Sequence, residues 1–205
     1  MLDNIKWLGH ASIKFNKGNK VIYVDPFRIN MEYKDADIIF VTHNHYDHYS
    51  YEDIVKVMKE DTNLVITEDL YDTVSEYSNA IGVVPNKDYE IDGIKFSTVG
   101  AYNVNKNFHP KDNNWVGYII ELEGIKYYIA GDTDINEDNK LVKCDVAFVP
   151  VGGTYTTDAY EAAELVNIIK PSVAIPIHYG SIVGEEKDAL SFINEVDEDI
   201  EVFTM

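Results

Sequence analysis

Three of the six histidines in this 205-residue chain fall inside one run, His43-Asn44-His45-Tyr46-Asp47-His48. A lone histidine is more often a packed structural residue than a ligand, but this run gathers four donors of the kind that divalent transition metals accept. The spacing has a physical meaning too. Side chains of an extended or turning segment alternate with a period of two, so His43 and His45 can reach one ion. Asp47 repeats that direction, and His48 can turn away once the chain bends, which leaves Asp47 and His48 for a second ion. Two ions about 3.5 to 4 Å apart can share a water, an arrangement suited to hydrolysis.

The remaining donors must come from distant sequence. Asp132 lies in Gly131-Asp132-Thr133 after an apolar run; its two oxygens can bridge both ions, and the glycine beside it permits close approach. His178 also follows an apolar run and precedes Tyr179-Gly180. His109, between Phe108 and Pro110, is available to complete the first ion's set. Asp25, before Pro26, is a candidate to orient a ligating imidazole or a metal-bound water, against the plainer reading of an Asp-Pro turn. His10 is weighed equally as a pocket neighbour and as a buried structural histidine. Tyr179 and Lys111 are candidate polar substrate contacts, with a solvent-facing or packing role weighed at least equally for each. The Gly152-Gly153-Thr154-Tyr155-Thr156-Thr157 segment permits close backbone approach to a ligand and is equally ordinary turn chemistry.

These residues need strand ends to hold them, and the sequence supplies strands. Ile5 to Phe15 and Lys20 to Val24 read as a hairpin around Asn16-Lys17-Gly18-Asn19, and Ala36 to Val41 as a buried strand that stops at the histidine run. Tyr51 to Lys59 has near-helical apolar spacing. Leu64 to Ile66 is read as a strand and Asp69 to Tyr77 as a short helix. Strands follow at Val83-Val84, Tyr89 to Ile91, Ile94 to Val99, Val116 to Leu122, Lys126 to Ala130 and Val146 to Val151, with a hairpin turn at Gly124. Thr157 to Ile169 is an amphipathic helix closed by Pro171, with Asp158 and Glu161 at its start. A strand from Val173 to Ile177, a helix over Glu186 to Ile193 and a strand over Ile200 to Phe203 complete a mixed α/β pattern.

The length suits one domain over 1–205, and no repeat or Pro/Gly/Ser-rich linker divides it. A net charge of −19 disfavours nucleic acid and anionic membranes as partners, though metals can still draw an anionic substrate into a local cleft. The single cysteine, Cys144, cannot form an internal disulfide, lies outside every motif above, and reads as a small buried side chain. No secretory signal and no apolar stretch of membrane-spanning length is visible, so a cytoplasmic location is expected. Oligomeric state is not readable.

Taken in order, Thr42 to His48, Gly131-Asp132-Thr133 and Ile177-His178-Tyr179-Gly180 resemble the signature of the metallo-β-lactamase superfamily. Val24-Asp25-Pro26-Phe27 looks like the aspartate motif preceding the histidine cluster in that family. Trp7-Leu8-Gly9-His10-Ala11-Ser12 resembles the opening of its branch similar to L-ascorbate-6-phosphate lactonase. The resemblance runs from about Ile5 to Gly180. It implies a four-layer αβ/βα sandwich, with His43, His45 and His109 on one ion, Asp47, His48 and His178 on the other, and Asp132 bridging. Related chains often carry the third-motif histidine directly after an alanine. Here Ala101 is followed by Tyr102-Asn103, and His109 is the histidine of that interval.

The expected reaction is hydrolysis of an ester, lactone or phosphodiester in a small molecule by a metal-bound hydroxide, with Asp47 positioning the nucleophile or shuttling its proton. Zinc fits the donors; manganese and iron fit mixed nitrogen and oxygen sets as well. Three alternatives stand beside it. A nuclease or RNA-processing hydrolase is opposed by the acidity. In di-iron redox relatives a carboxylate usually stands between the first two histidines, where this chain has Asn44. A non-catalytic metal-binding protein would close its site with ligands, whereas donors at loop tips leave room for a water.

Overall fold

The computed structural model of the chain describes residues 1–74 and 79–205. They form two units, Met1–Val84 and Pro85–Met205, each built on one sheet. In the first unit the strands β1 (Ile5–Gly9), β2 (Ser12–Lys17), β3 (Lys20–Val24), β4 (Ala36–Phe40), β5 (Met58–Thr67) and β6 (Ala80–Val83) lie side by side in chain order. β1 to β3 are antiparallel; β3 to β6 are parallel. Parallel neighbours need a crossover, and α1 (Tyr51–Val57) and α2 (Glu68–Val74) occupy the two that follow β4 and β5. Ile54 and Val57 of α1 and Leu70 of α2 join Ile39, Val41, Leu64 and Ile66 in one buried cluster.

Several expected boundaries move. Ile5 to Phe15 is two strands, because Gly9 (φ 110°) and His10 (φ 53°) turn the chain through the left-handed region; residues on both sides stay apolar, which hides the turn from pattern reading. The helix expected to Lys59 ends at Val57. Met58 instead pairs with Ala36, and the Lys59 ammonium donates to Asp37 at 2.7 Å, so strand pairing overrides helical periodicity. The short strand expected at Leu64 to Ile66 thereby grows to Met58–Thr67. Of the helix expected over Asp69 to Tyr77, residues 75–77 lie outside the described residues. The strand expected at Val83-Val84 is Ala80–Val83, in register with Leu64–Thr67.

The second unit orders β7 (Asp88–Ile91), β8 (Ile94–Gly100), β9 (Val116–Leu122), β10 (Ile125–Ile129), β11 (Val146–Pro150), β12 (Val173–Ile177) and β13 (Glu201–Val202) across one sheet. β7 to β10 are antiparallel and β10 to β13 parallel. β8, β10, β11 and β12 therefore point the same way and deliver their carboxyl ends to one edge. The β9–β10 turn places Glu123 (φ 54°) and Gly124 (φ 78°) in the left-handed region, the two-residue hairpin geometry that matches strand twist.

Helices α3 (Ala159–Ile169) and α4 (Glu186–Glu195) carry the crossovers from β11 to β12 and from β12 to β13. α3 starts two residues later than Thr157 because Asp158 is extended and caps it. Its carboxylate accepts from the Tyr160 and Glu161 amides, and Glu161 accepts from the Asp158 amide. Lys170, left-handed at φ 52°, ends the helix before Pro171. Among the described residues, no helix is long and apolar enough to cross a membrane.

Candidate metal centre

In the first unit the donors follow the carboxyl ends of the adjacent parallel strands β3 and β4, where open α/β sheets place their ligands. Asp25 comes directly after β3, held in the left-handed region at φ 44°. A non-glycine residue pays roughly 1 to 2 kcal/mol there, and three contacts hold the geometry. Its Oδ1 accepts the Thr42 amide at 2.8 Å, and its Oδ2 accepts the Thr42 hydroxyl at 2.7 Å and His48 Nδ1 at 2.7 Å. Asp25 and His48 are both fully buried.

This network assigns the ring protons. The carboxylate can only accept, so His48 carries its proton on Nδ1 and turns Nε2 away as a donor atom. The Thr42 hydroxyl spends its hydrogen on Asp25, so its lone pair receives His43 Nδ1 at 3.0 Å. That leaves His43 Nε2 bare, 3.1 Å from His45 Nδ1. Asp47 Oδ2 lies 2.8 Å from His10 Nε2 and 3.8 Å from His48 Nε2. The donor atoms of His10, Asp47 and His48 all fall within 4.8 Å of one another. His10 is buried, and its carbonyl accepts the Trp7 indole N–H at 2.8 Å.

In the second unit Asp132 follows β10 and His178 follows β12. The two carboxylate oxygens face different rings: Oδ1 lies 3.2 Å from His178 Nε2, and Oδ2 lies 3.3 Å from His109 Nε2. All three residues are buried. His178 is left-handed at φ 61°, and its main chain runs so close to Gly152 that a Cβ there would sit 2.5 Å from the His178 carbonyl oxygen. The glycine pair's close approach is thus to a candidate ligand's own backbone.

The donor spacings suit metal ligation. Two atoms each about 2.0 to 2.1 Å from a tetrahedral zinc stand roughly 3.3 Å apart, and the pairs His43–His45, His109–Asp132 and His178–Asp132 are at 3.1, 3.3 and 3.2 Å. The donor set is nitrogen and oxygen throughout. Cys144 is half-buried rather than buried, and burial, with Asp145 adding, pushes its thiol up to about 12.

Three residues with parts in these networks have no signature of their own: Thr42, Asn103 and Asp134. Thr42 was visible only as the residue before His43, and Asn103 only as the residue standing near the family's usual histidine position. The two lysines near His109 are engaged. Lys106 binds Asp134 at 2.7 Å, and Lys111 lies over the Tyr102 ring at 4.6 Å, its pKa raised by a hydrogen bond to Tyr102. Burial, with Glu186 adding, raises the Tyr179 hydroxyl above its ordinary value. Asn44 is exposed and donates to Asp69 at 2.7 Å.

Residues 4–178 match the family described as Beta-lactamase superfamily domain, and the chain belongs to that family. Among its relatives is a UPF0173 metal-dependent hydrolase of Sulfurisphaera tokodaii, 33% identical over 216 residues, covering 95% of this chain and 92% of the relative. Among solved structures, a protein of Parabacteroides distasonis described as a metal-dependent hydrolase is 29% identical with a TM-score of 0.84, covering 98% of this chain and 91% of that one. Igni18, a metallo hydrolase of Ignicoccus hospitalis, shares the fold at 20% identity and a TM-score of 0.79, covering 98% and 94%. The fold class is the expected one, mixed α/β with two sheets and few helices.

Proposed function

We propose that the chain is a metal-dependent hydrolase of the metallo-β-lactamase type that cleaves an ester, lactone or phosphodiester in a small molecule. The observation that carries this reading is Asp132, which offers one oxygen to His109 and the other to His178, as a carboxylate serving two ions does. In this reading His43, His45 and His109 hold one divalent ion, Asp47, His48 and His178 hold a second, and Asp132 bridges. Zinc is the metal the nitrogen-rich set favours; manganese and iron share these donors.

Bound divalent ions supply a water of lowered pKa and an electrophile for the developing oxyanion. The protein's part is orientation and proton handling. Asp25 fixes the His48 tautomer, and Thr42 fixes that of His43. Asp47 is the carboxylate assigned to position the attacking water and take up its proton, with His10 Nε2 holding its Oδ2. The resemblance of Trp7 to Ser12 to the lactonase-like branch supports a lactone or ester as the bond attacked. The net charge of −19 supports a small molecule over nucleic acid. Asn44, turned to Asp69, gives no support to a redox centre with a carboxylate at that position.

The test is metal analysis and an ester, lactone and phosphodiester panel on wild type, Asp47→Ala and His178→Ala. Each variant is expected to bind less metal and to lose at least 100-fold in kcat/KM. Unchanged metal content and activity in both would sink the assignment.

A further inference from the structure

We infer that Asn103, which belongs to no recognised motif, is the positioning residue for His109. The inference rests on the proposed role of His109 as a metal donor. His109 lies on the connection between β8 and β9, in a stretch with only a three-residue 3-10 turn of regular structure, Lys111–Asn113. A ligand on such a loop needs a fixed partner, since a mobile ring would pay its ordering cost on each binding event.

Asn103 supplies that partner through both ends of its amide. Its Oδ1 accepts the His109 amide at 2.9 Å and the Phe108 amide at 3.2 Å, and lies 3.3 Å from His109 Nδ1. The Asn103 backbone N–H donates to the His109 carbonyl at 2.8 Å. With Nδ1 facing an amide oxygen, the ring proton belongs there, and Nε2, the atom facing Asp132, is left as the donor.

The other end of the amide is anchored to neighbouring loops. Asn103 Nδ2 donates to Asp134 Oδ1 at 3.1 Å and to the Tyr155 carbonyl at 2.9 Å. Asp134 also accepts the Val104 amide at 2.9 Å and the Lys106 ammonium at 2.7 Å, and its own amide donates to the Tyr102 carbonyl at 3.0 Å. Asp134 is two residues beyond Asp132. One side chain, 8% exposed, therefore ties the His109 ring to the segment that carries Asp132.

The test is a double-mutant cycle on Zn(II) affinity, read by chelator competition, and on the visible spectrum of the Co(II)-substituted protein. His109→Ala is expected to weaken one metal equivalent, and Asn103→Ala to weaken the same equivalent about 10- to 100-fold, the range for losing a ligand's outer partner. In the His109→Ala background, Asn103→Ala is expected to add less than about twofold, because its route to the metal is gone. Asn103→Ser, too short to reach the ring, takes the place of the alanine variant should that not fold. Wild-type affinity and spectrum in the Asn103 variant overturns the inference and leaves the His109 assignment standing. Equal effects in both backgrounds also overturn it, by showing a general structural role. Full metal affinity in His109→Ala overturns the assignment itself, and the inference with it.

Discussion

Asp25 Oδ2 stands 2.7 Å from His48 Nδ1, with both side chains fully buried. A buried carboxylate that also accepts the Thr42 amide and hydroxyl cannot be replaced by a neutral amide without turning one contact from attractive to repulsive. Asp25→Asn is expected to lower metal affinity about 10- to 100-fold and to lower kcat/KM by at least as much. Chelator competition and steady-state kinetics on the purified variant check this; wild-type affinity would show that His48 needs no such partner.

Gly152 makes a sharper steric claim. A methyl there meets the His178 carbonyl oxygen at 2.5 Å and Val183 Cγ1 at 2.9 Å, and the first of these is backbone that cannot swing aside. Gly152→Ala is expected to cost about 1 to 3 kcal/mol, the usual range for overpacking, and to reduce metal binding by displacing His178. Gly124→Ala, in the β9–β10 turn with nothing within 4 Å of the added carbon, serves as the contrast. It should cost stability through its positive φ and leave metal binding unchanged. Equal metal binding in the two variants refutes the argument.

The donors were legible in sequence because their residue types announce themselves: His43 to His48, Asp132 and His178 each end an apolar run. Their partners were not. Asn103 and Asp134 lie 31 residues apart and meet only through folding, and neither residue type implies ligation. The turn at Gly9-His10 was hidden for the opposite reason, since apolar residues on both sides satisfy the pattern of one long strand. The α1 boundary failed where Met58 found a strand partner in Ala36, a contact no local window contains.

Asp53 carries a pH prediction. Burial works to raise its carboxyl, but hydrogen bonds from Lys56, Ser50 and the Arg28 amide outweigh burial and hold the pKa below its ordinary value. A carboxyl depressed in the folded state stabilises the fold above its unfolded pKa of about 3.9, and that contribution is lost as pH falls through the lower folded value. Asp53→Asn should therefore be less stable than wild type at pH 7, with the gap closing below about pH 4. Urea midpoints at pH 7, 4 and 3 measure it; a gap of constant size would leave the ionic part of the clamp without effect.

The Cys144 thiol, pushed up to about 12 first by burial and then by Asp145, should be nearly inert. At neutral pH its thiolate fraction is on the order of one part in 100,000, against a few per cent for an ordinary cysteine. Iodoacetamide is expected to label the native protein at least 100-fold more slowly than the urea-unfolded chain. Comparable labelling rates would contradict the burial argument.

Metal removal tests the donor sets as a folding element. Six histidines and two carboxylates, counting His10 and leaving aside Asp25, are brought within ligand spacing in the two units. Anything that binds the folded chain and not the unfolded one stabilises it by mass action, about 2.7 kcal/mol at a hundredfold excess over Kd. Chelation should lower the thermal midpoint by several degrees, and zinc should restore it in proportion to the logarithm of its free concentration. Asp132→Ala, which removes both faces of the carboxylate at once, should abolish that zinc dependence while barely changing the midpoint measured in chelator. If its midpoint still rises with zinc as in wild type, Asp132 is not the residue that joins His109 and His178 to the metal.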